Sequence, residues 1–271
     1  MSIPNPAVPL PSGRRMPLLG FGTWQVNGDL ARQATGWALE AGYRHIDTAT
    51  MYDNEREVGA GLRDSEVDRD DVFITTKLPP NRGGKPLKTL HRSLELLGTD
   101  RVDLWLIHWP PSDGVGLDLW AAFIQAREQG LATDIGVSNH SLGQIDQLAS
   151  ATGEQPAVNQ IRWSPKLFDP AELAGHRERG VVLEGYSALR GGTLTAPVIV
   201  TIAQRLGRTP AQVIIRWHVQ HDVVVIPKSR DRDRISANAD VGGFELSPQD
   251  MDALDGLSYL GRKPEHGDRP S

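Results

Sequence analysis

The chain has 271 residues, of which 39% are hydrophobic and 23% charged, and a formal net charge of -5. That is the composition of an ordinary globular protein long enough to bury roughly three-quarters of its unfolded surface, not of a disordered or collagen-like chain. The acidic balance and the lack of a basic tract make nucleic acid and anionic membranes poor partners, and zero cysteine excludes disulfides, thiolate nucleophiles and cysteine-bound zinc.

The first twenty residues, MSIPNPAVPLPSGRRMPLLG, have no charged start followed by an apolar run, so no secretory signal is expected. No stretch approaches the roughly 18 continuous apolar residues of a membrane span. A soluble, cytoplasmic protein is the expectation. The Pro-rich first dozen residues read as an N-terminal hairpin or plug. Eight short apolar runs then recur, each read as a strand: 18–23, 45–49, 73–77, 104–109, 134–139, 157–161, 181–187 and 223–227. They are filled by Val, Ile, Leu and Trp with little polar alternation, as parallel strands covered on both faces are.

Helix-period segments lie between them. Residues 29–42 place Leu30, Ala34, Trp37, Ala38 and Ala41 on one stripe, ending at Gly42. Residues 85–98 carry Pro in the first turn and close on Gly98, 117–130 repeat the pattern, and 209–221 open on Thr-Pro. Residues 247–257 read as a last surface helix capped by Ser247, and the polar tail GRKPEHGDRPS as loosely ordered. With no Pro/Gly/Ser-rich linker in the middle, residues 1–271 are expected to form one α/β domain, a (β/α)8 TIM barrel with an N-terminal plug and an extra C-terminal helix. An open doubly wound sheet is the alternative, but its fingerprint is missing. GFGTWQ (20–25) and GAGLRD (59–64) each lack the third Gly.

In such a barrel, chemistry sits at the C-terminal ends of strands. The second strand ends in Asp47, the third in Lys77, and the fourth carries His108 near its end; these follow one another at 30 and 31 residues, about one strand–helix unit. They are expected at equivalent heights on neighbouring strands, with Tyr52 in the loop overhanging them. Each has an ordinary reading too: Asp47 as a turn cap, Lys77 as a solvated strand end, His108 as a core imidazole, Tyr52 as a rim aromatic. Their common register favours a joint role, proton transfer to a carbonyl oxygen. A phenol of pKa about 10 is a weak donor at pH 7. A lysine ammonium beside it is expected to lower that pKa, and Asp47 to keep the lysine charged. His108 can donate to the same oxygen. A hydride must accompany the proton, which implies a nicotinamide cofactor.

These residues, with GYRHIDTATMYDNEREVG (42–59, including Glu55 and Gly59), DLWLIHWP (103–110), GVSNH (136–140), PAVNQI (156–161) and VIPKSRDRDRISAN (225–238), resemble the aldo-keto reductase superfamily over nearly the whole chain. Its bacterial 2,5-diketo-D-gluconate reductase-like members are the most similar. The resemblance implies Tyr52 as general acid, with Asp47, Lys77 and His108 as partners. It implies Ser138, Asn139 and Gln160 on the nicotinamide carboxamide, for which amide side chains offer donor and acceptor. Tyr186 would lie beneath the ring and the backbone of Ser187, Ala188 and Leu189 along the pyrophosphate, with Gly22, Thr23, Asp47 and Ile226 also lining the cofactor. Lys228, Ser229 and Arg234 at a strand-to-helix junction suit a phosphate dianion. The family reading puts the adenosine 2′-phosphate there and Asn238 near the adenine, favouring NADPH (NADP+) over NADH; a solvated RDRDR run is the plain alternative.

Two departures stand out. Ala237 occupies a position where many members carry Glu, and IRWSP (161–165) replaces the commoner aromatic-His-Pro. An open substrate pocket walled by Trp24, Tyr52, His108 and Trp109 is expected, although the tryptophans also read as barrel-mouth packing. The expected function is NADPH-dependent reduction of small-molecule aldehydes or ketones to alcohols, by a monomer if the resemblance holds. The alternatives are a non-catalytic nicotinamide-binding or structural member of the fold, and a metal-assisted hydrolase. For the latter, His218 and His221 form an H-x-x-H without a carboxylate at useful spacing, so no metal site is expected.

Overall fold

The computed structural model describes residues 6–79, 85–112 and 114–260; the expected loose order of the tail from residue 261 lies outside these. Hairpin β1 (Ala7–Pro9) and β2 (Arg15–Pro17) opens the chain. The eight apolar runs are eight parallel strands in chain order: β3 (Phe21–Gly22), β4 (His45–Asp47), β5 (Phe73–Leu78), β6 (Val102–Ile107), β7 (Ala132–Ser138), β8 (Val158–Arg162), β9 (Val182–Tyr186) and β10 (Val224–Val225). The sheet closes on itself. Leu19 bridges Val225 in parallel, the Val225 N–H donates to Leu18 O at 2.8 Å, and the Gly20 N–H donates to Val225 O at 2.9 Å. The structure is the expected (β/α)8 barrel.

Side chains alternate across each strand, and the two faces have different cores. Ile46, Ile74, Trp105, Ile107, Ile135, Val137, Leu183 and Val225 pack outward with the helices. Leu18, Phe73, Leu104, Leu106, Val158 and Val224 pack inward with Leu10 and Met16 of the hairpin, which therefore plugs the barrel floor. The plug is pinned from its turn: Ser12 Oγ donates to Asp134 Oδ2 at 2.5 Å, and Arg14 pairs with Asp103 at 2.9 Å. Above that floor the interior becomes polar, with His45, Asp47, Thr75, Lys77, Gln160 and Glu184 all buried.

Ten α-helices cover the described barrel: α1 (Asp29–Glu40), α2 (Glu55–Asp64), α3 (Pro86–Leu97), α4 (Leu117–Glu128), α5 (Leu142–Thr152), α6 (Pro170–Glu178), α7 (Pro197–Leu206), α8 (Pro210–Gln220), α9 (Arg232–Ala239) and α10 (Pro248–Asp255). The five expected helices are present, and α10 is capped by Ser247, whose Oγ accepts from the Asp250 N–H. The stripe expected on α1 is rotated. Ala31, Ala34, Thr35, Ala38 and Leu39 are its buried residues, while Leu30, Trp37 and Ala41 flank them.

Helices α2, α5, α6, α7 and α9 are not among the five expected. Helix α2 carries Gly59 and Gly61, which count against a helix. Gly59 is there for close packing: a Cβ on it would lie 2.4 Å from the Leu97 carbonyl oxygen at the end of α3. Gly59→Ala is therefore expected to cost about 1–3 kcal/mol by overpacking, read as a lower urea midpoint at unchanged slope.

Candidate active site

The strand ends bring Asp47, Lys77 and His108 together, but not at one height. Asp47 pairs with Thr75 and Lys77 with Leu106, so each functional residue lies two positions past its predecessor's ladder partner. A shear of about 8 over eight strands absorbs only about one residue per strand. The series therefore climbs, from Asp47 and Lys77 inside the barrel to His108 just past β6, where its N–H donates to Leu78 O at 3.0 Å.

Lys77 is fully buried and uses its ammonium three ways. Nζ donates to Asp47 Oδ1 at 2.7 Å, to the Thr48 carbonyl at 3.0 Å and to the Tyr52 hydroxyl oxygen at 3.3 Å. The other Asp47 oxygen accepts from Gln160 Nε2 at 2.8 Å. Burial alone pulls the lysine pKa down, but the Asp47 charge and Tyr52 outweigh it and hold Lys77 above the usual ammonium range. The Tyr52 phenol departs from expectation. Burial of its hydroxyl pushes it up to about 12, and the opposing pull of Lys77 recovers only part of that, because Asp47 acts against it. The His108 ring stands edge-on to Tyr52, centroids 5.7 Å apart. Burial first, then Lys77, lower its pKa to about 3, so the imidazole is neutral at pH 7.

The segment carrying Tyr52 is a short 3-10 turn, Thr50–Tyr52, fixed from several sides. Thr50 Oγ1 donates to Lys77 O at 2.9 Å. Asp53 turns the chain with a left-handed φ of 53°. Asn54 then donates to the Thr23 and Val26 carbonyls at 2.9 and 2.8 Å and accepts from Thr48 Oγ1 at 2.8 Å. Glu55 accepts from Thr76 Oγ1 at 2.6 Å and Ser93 Oγ at 3.1 Å, tying α2 to β5 and α3. Sequence reasoning gave Asn54 no role and noted Glu55 only as part of a motif; the structure makes both supports of the Tyr52 loop.

A second polar group converges at the ends of β7, β8 and β9. Ser138 Oγ donates to Gln160 O at 2.7 Å, Asn139 Nδ2 donates to His108 O at 3.0 Å and to Ser138 Oγ at 2.9 Å, and Tyr186 OH donates to Asn139 Oδ1 at 2.8 Å. Asn139 and Ser187 hold left-handed φ values of 60° and 56°. The cap of α5 is Ser141, so Ser138 and Asn139 are not cap residues. Ser187 is half-buried, Ala188 is buried and Leu189 packs on the outer core. Across the mouth, Thr23 Oγ1 donates to Asp47 O at 3.0 Å. Gly22 leaves room against β10: a Cβ there would stand 2.8 Å from the carbonyl oxygen of Ile226.

Past β10, cations gather. Burial lowers the Lys228 pKa, and the nearby Arg230 and Arg190 lower it further; among the described residues no carboxylate pairs with it. Arg190 and Arg230 were not singled out in the sequence, where RDRDR reads as a solvated run. The structure turns both toward the β3–α1 loop. Arg190 lies 4.4 Å over the Trp24 ring and donates to Gln25 Oε1 at 3.2 Å, and Arg230 Nε donates to Gln25 O at 2.8 Å. Ser229 Oγ accepts from the Asp231 N–H at 3.1 Å, and Asp231 caps α9 by accepting from the Arg234 N–H at 2.9 Å. This acidic cap takes up one of the helix N–H groups expected to face an anion. The Arg234 side chain is exposed, and Asn238 is buried on α9.

Trp24 is 38% exposed and Trp109 half-buried. In the H-x-x-H pair, His218 Nδ1 bonds Ile214 O at 2.8 Å and His221 Nε2 bonds Asp255 Oδ1 at 2.9 Å, while the buried His218 Nε2 has no partner among the described residues.

With this geometry in hand, comparison with known proteins is specific. Residues 18–258 match the model of the Aldo/keto reductase family. The chain is 43% identical to 2,5-diketo-D-gluconic acid reductase B of a Corynebacterium species, covering 94% of each chain. It is 42% identical to morphine 6-dehydrogenase of Pseudomonas putida, covering 93% of this chain and 91% of that one. The crystal structure of an aldo/keto reductase from Brucella melitensis superposes with a TM-score of 0.89 at 41% identity, over 93% of this chain and 99% of the other.

Proposed function

We infer that this chain, which belongs to the Aldo/keto reductase family, reduces an aldehyde or ketone group of a small molecule to an alcohol, with NADPH as cofactor and Tyr52 as general acid. One observation carries the reading: a fully buried lysine ammonium bridging Asp47 and the Tyr52 hydroxyl. NADPH supplies the hydride when bound. The protein's part is the proton. Because Lys77 donates to the phenol oxygen, the phenolic hydrogen is left free for a carbonyl oxygen in the pocket. As that proton leaves, Lys77 stabilises the phenolate behind it. Neutral His108 donates to the same carbonyl oxygen and orients it.

The residues present fit the cofactor. Ser138, Asn139 and Gln160 form an amide-and-hydroxyl group suited to a carboxamide, with Tyr186 beside them as the platform for the ring. Ser187, Ala188 and Leu189 offer backbone to the pyrophosphate, facing Gly22, Thr23 and Ile226. The crowded cations at Lys228, with Ser229 and Arg234 beside it, fit a phosphate dianion, and Asn238 fits the adenine end. Trp24, Tyr52, His108 and Trp109 wall the substrate pocket. The names of the relatives, a diketo sugar acid reductase and an alkaloid dehydrogenase, support keto-sugars, diketones and aldehydes as the compounds to screen. The reading includes a cytoplasmic monomer; none of the described helices is long and apolar enough to cross a membrane.

Fluorescence titration with NADPH and then NADH tests the cofactor. Saturable binding at far lower NADPH concentration is expected, and no binding of either overturns the reading. A charge-assisted hydrogen bond contributes about 1.5–3 kcal/mol, so Lys228→Ala with Arg234→Ala is expected to weaken NADPH about 100-fold or more while leaving NADH little changed. Equal losses for the two cofactors overturn the 2′-phosphate assignment.

A further inference from the structure

One buried acid has no part in the chemistry above. Glu184 stands on β9, paired in register with Gln160 of β8 and Val224 of β10. Its neighbours Leu183 and Gly185 face the helices: Leu183 lies in the outer core, and a Cβ on Gly185 would lie 3.0 Å from that of Trp163. Glu184 therefore points into the barrel. It is completely buried, and neither carboxyl oxygen has a hydrogen-bond partner among the described residues.

The groups facing it come from every side of the interior. Strand β4 contributes His45, whose Nε2 is 3.8 Å from Glu184 Oε1, and Asp47; β5 contributes Lys77; β8 contributes Gln160, already bonded to Asp47. Strand β10 offers only Val224. Just before β3, Gly20 leaves the space that His45 fills, since a Cβ there would lie 2.5 Å from His45 Nδ1.

We propose that Glu184 is a positioning residue for the reaction inferred above, a carboxyl built into the barrel interior beneath the Gln160–Asp47 contact, whose charge state sets how well the Lys77 ammonium serves the Tyr52 hydroxyl. The inference rests on the carbonyl-reduction reading. A carboxylate is strongly disfavoured in so dry a place, and burial first, then the Asp47 charge, push Glu184 up to about 8 against the smaller pulls of Gln160 and Lys77. His45 supplies no counter-charge, because burial and Lys77 lower its pKa to about 3. At neutral pH, Lys77 thus faces one nearby interior anion, Asp47. When Glu184 ionises, a second anion joins it. Together they make the phenolate on Tyr52 costlier to form, and proton donation slows.

The test compares the parent with Glu184→Gln and the apolar Glu184→Leu. In the parent, kcat/KM for carbonyl reduction is expected to fall above about pH 8. In both variants the plateau extends upward, so that at pH 9 each retains at least about threefold more of its own pH 7 value than the parent does. Glu184→Asp restores the limb. A second readout does not need turnover. The unfolded chain releases this proton near pH 4.3, and the native protein near 8. Within that window the folded state binds more protons, so rising pH costs stability. The thermal midpoint of the parent minus that of Glu184→Gln should fall between pH 5 and 8 and level off above. A pH-independent difference overturns the proposal. Superimposable pH–rate profiles in active proteins overturn it while leaving the reaction intact. A parent that binds NADPH but turns over no carbonyl overturns both.

Discussion

Replacing Tyr52 by Phe is expected to lower kcat for carbonyl reduction about 10²–10⁴-fold, the range a positioned general acid contributes, with NADPH affinity changed by no more than about twofold. The substitution is clean because the ring keeps its edge-on packing against His108 at 5.7 Å, and its loop is held by Thr50, Asn54 and Glu55 rather than by the hydroxyl. What is lost is one oxygen, the acceptor of Lys77 Nζ at 3.3 Å. With the phenol pushed up to about 12, the donor form is fully populated at pH 7. Availability of the proton is therefore not limiting; the stability of the phenolate left behind is, and that depends on Lys77. Stopped-flow oxidation of bound NADPH on adding a carbonyl separates the two quantities. Undiminished turnover in this variant would sink the Tyr52 assignment.

Much of this is legible in the sequence. The barrel could be read because its strands are covered on both faces and so appear as apolar runs with little polar alternation, as in LWLIHW and VVVIP. The climb from Asp47 to His108 could be anticipated only as a repeat of about 30 residues, since spacing reports strand–helix length and not strand tilt. Helices α2, α5, α6, α7 and α9 bury two to four residues each; α10 buries only two, but its Ser247–Pro248 start marks it in the sequence. The Tyr52 phenol shows why pairwise reasoning about charge stopped short. Lysine beside tyrosine predicts a lowered pKa, but desolvation acts on the whole hydroxyl and is larger. Arg190 and Arg230 were hidden for a different reason: each reaches Gln25 across the barrel mouth, at separations of 165 and 205 residues. Glu184 left no signal at all, because a glutamate in an apolar strand reads as a sporadic exposed position until the sheet closes around it.

The second large effect is expected from Lys77→Met, which keeps an unbranched side chain, one atom shorter, and removes the charge. Asp47 then stands buried with Gln160 Nε2 as its remaining side-chain donor. Breaking a buried pair by removing one partner costs about 3–5 kcal/mol, so both stability and turnover should fall. The pH dependence identifies the cause. Burial already holds the Asp47 pKa above that of the unfolded chain, and without the opposing pull of Lys77 it rises further. The folded state then binds the extra proton, so the stability deficit grows as pH rises through the carboxyl range and shrinks as pH falls. Adding Asp47→Asn removes the stranded charge. The double variant Lys77→Met, Asp47→Asn should therefore regain most of the lost stability in urea melts, because replacing both members of a buried pair is far gentler than removing one. It should regain no turnover, since nothing remains to stabilise a Tyr52 phenolate. Recovery of activity along with stability would mean that Lys77 serves the fold and that the proton leaves Tyr52 without its help.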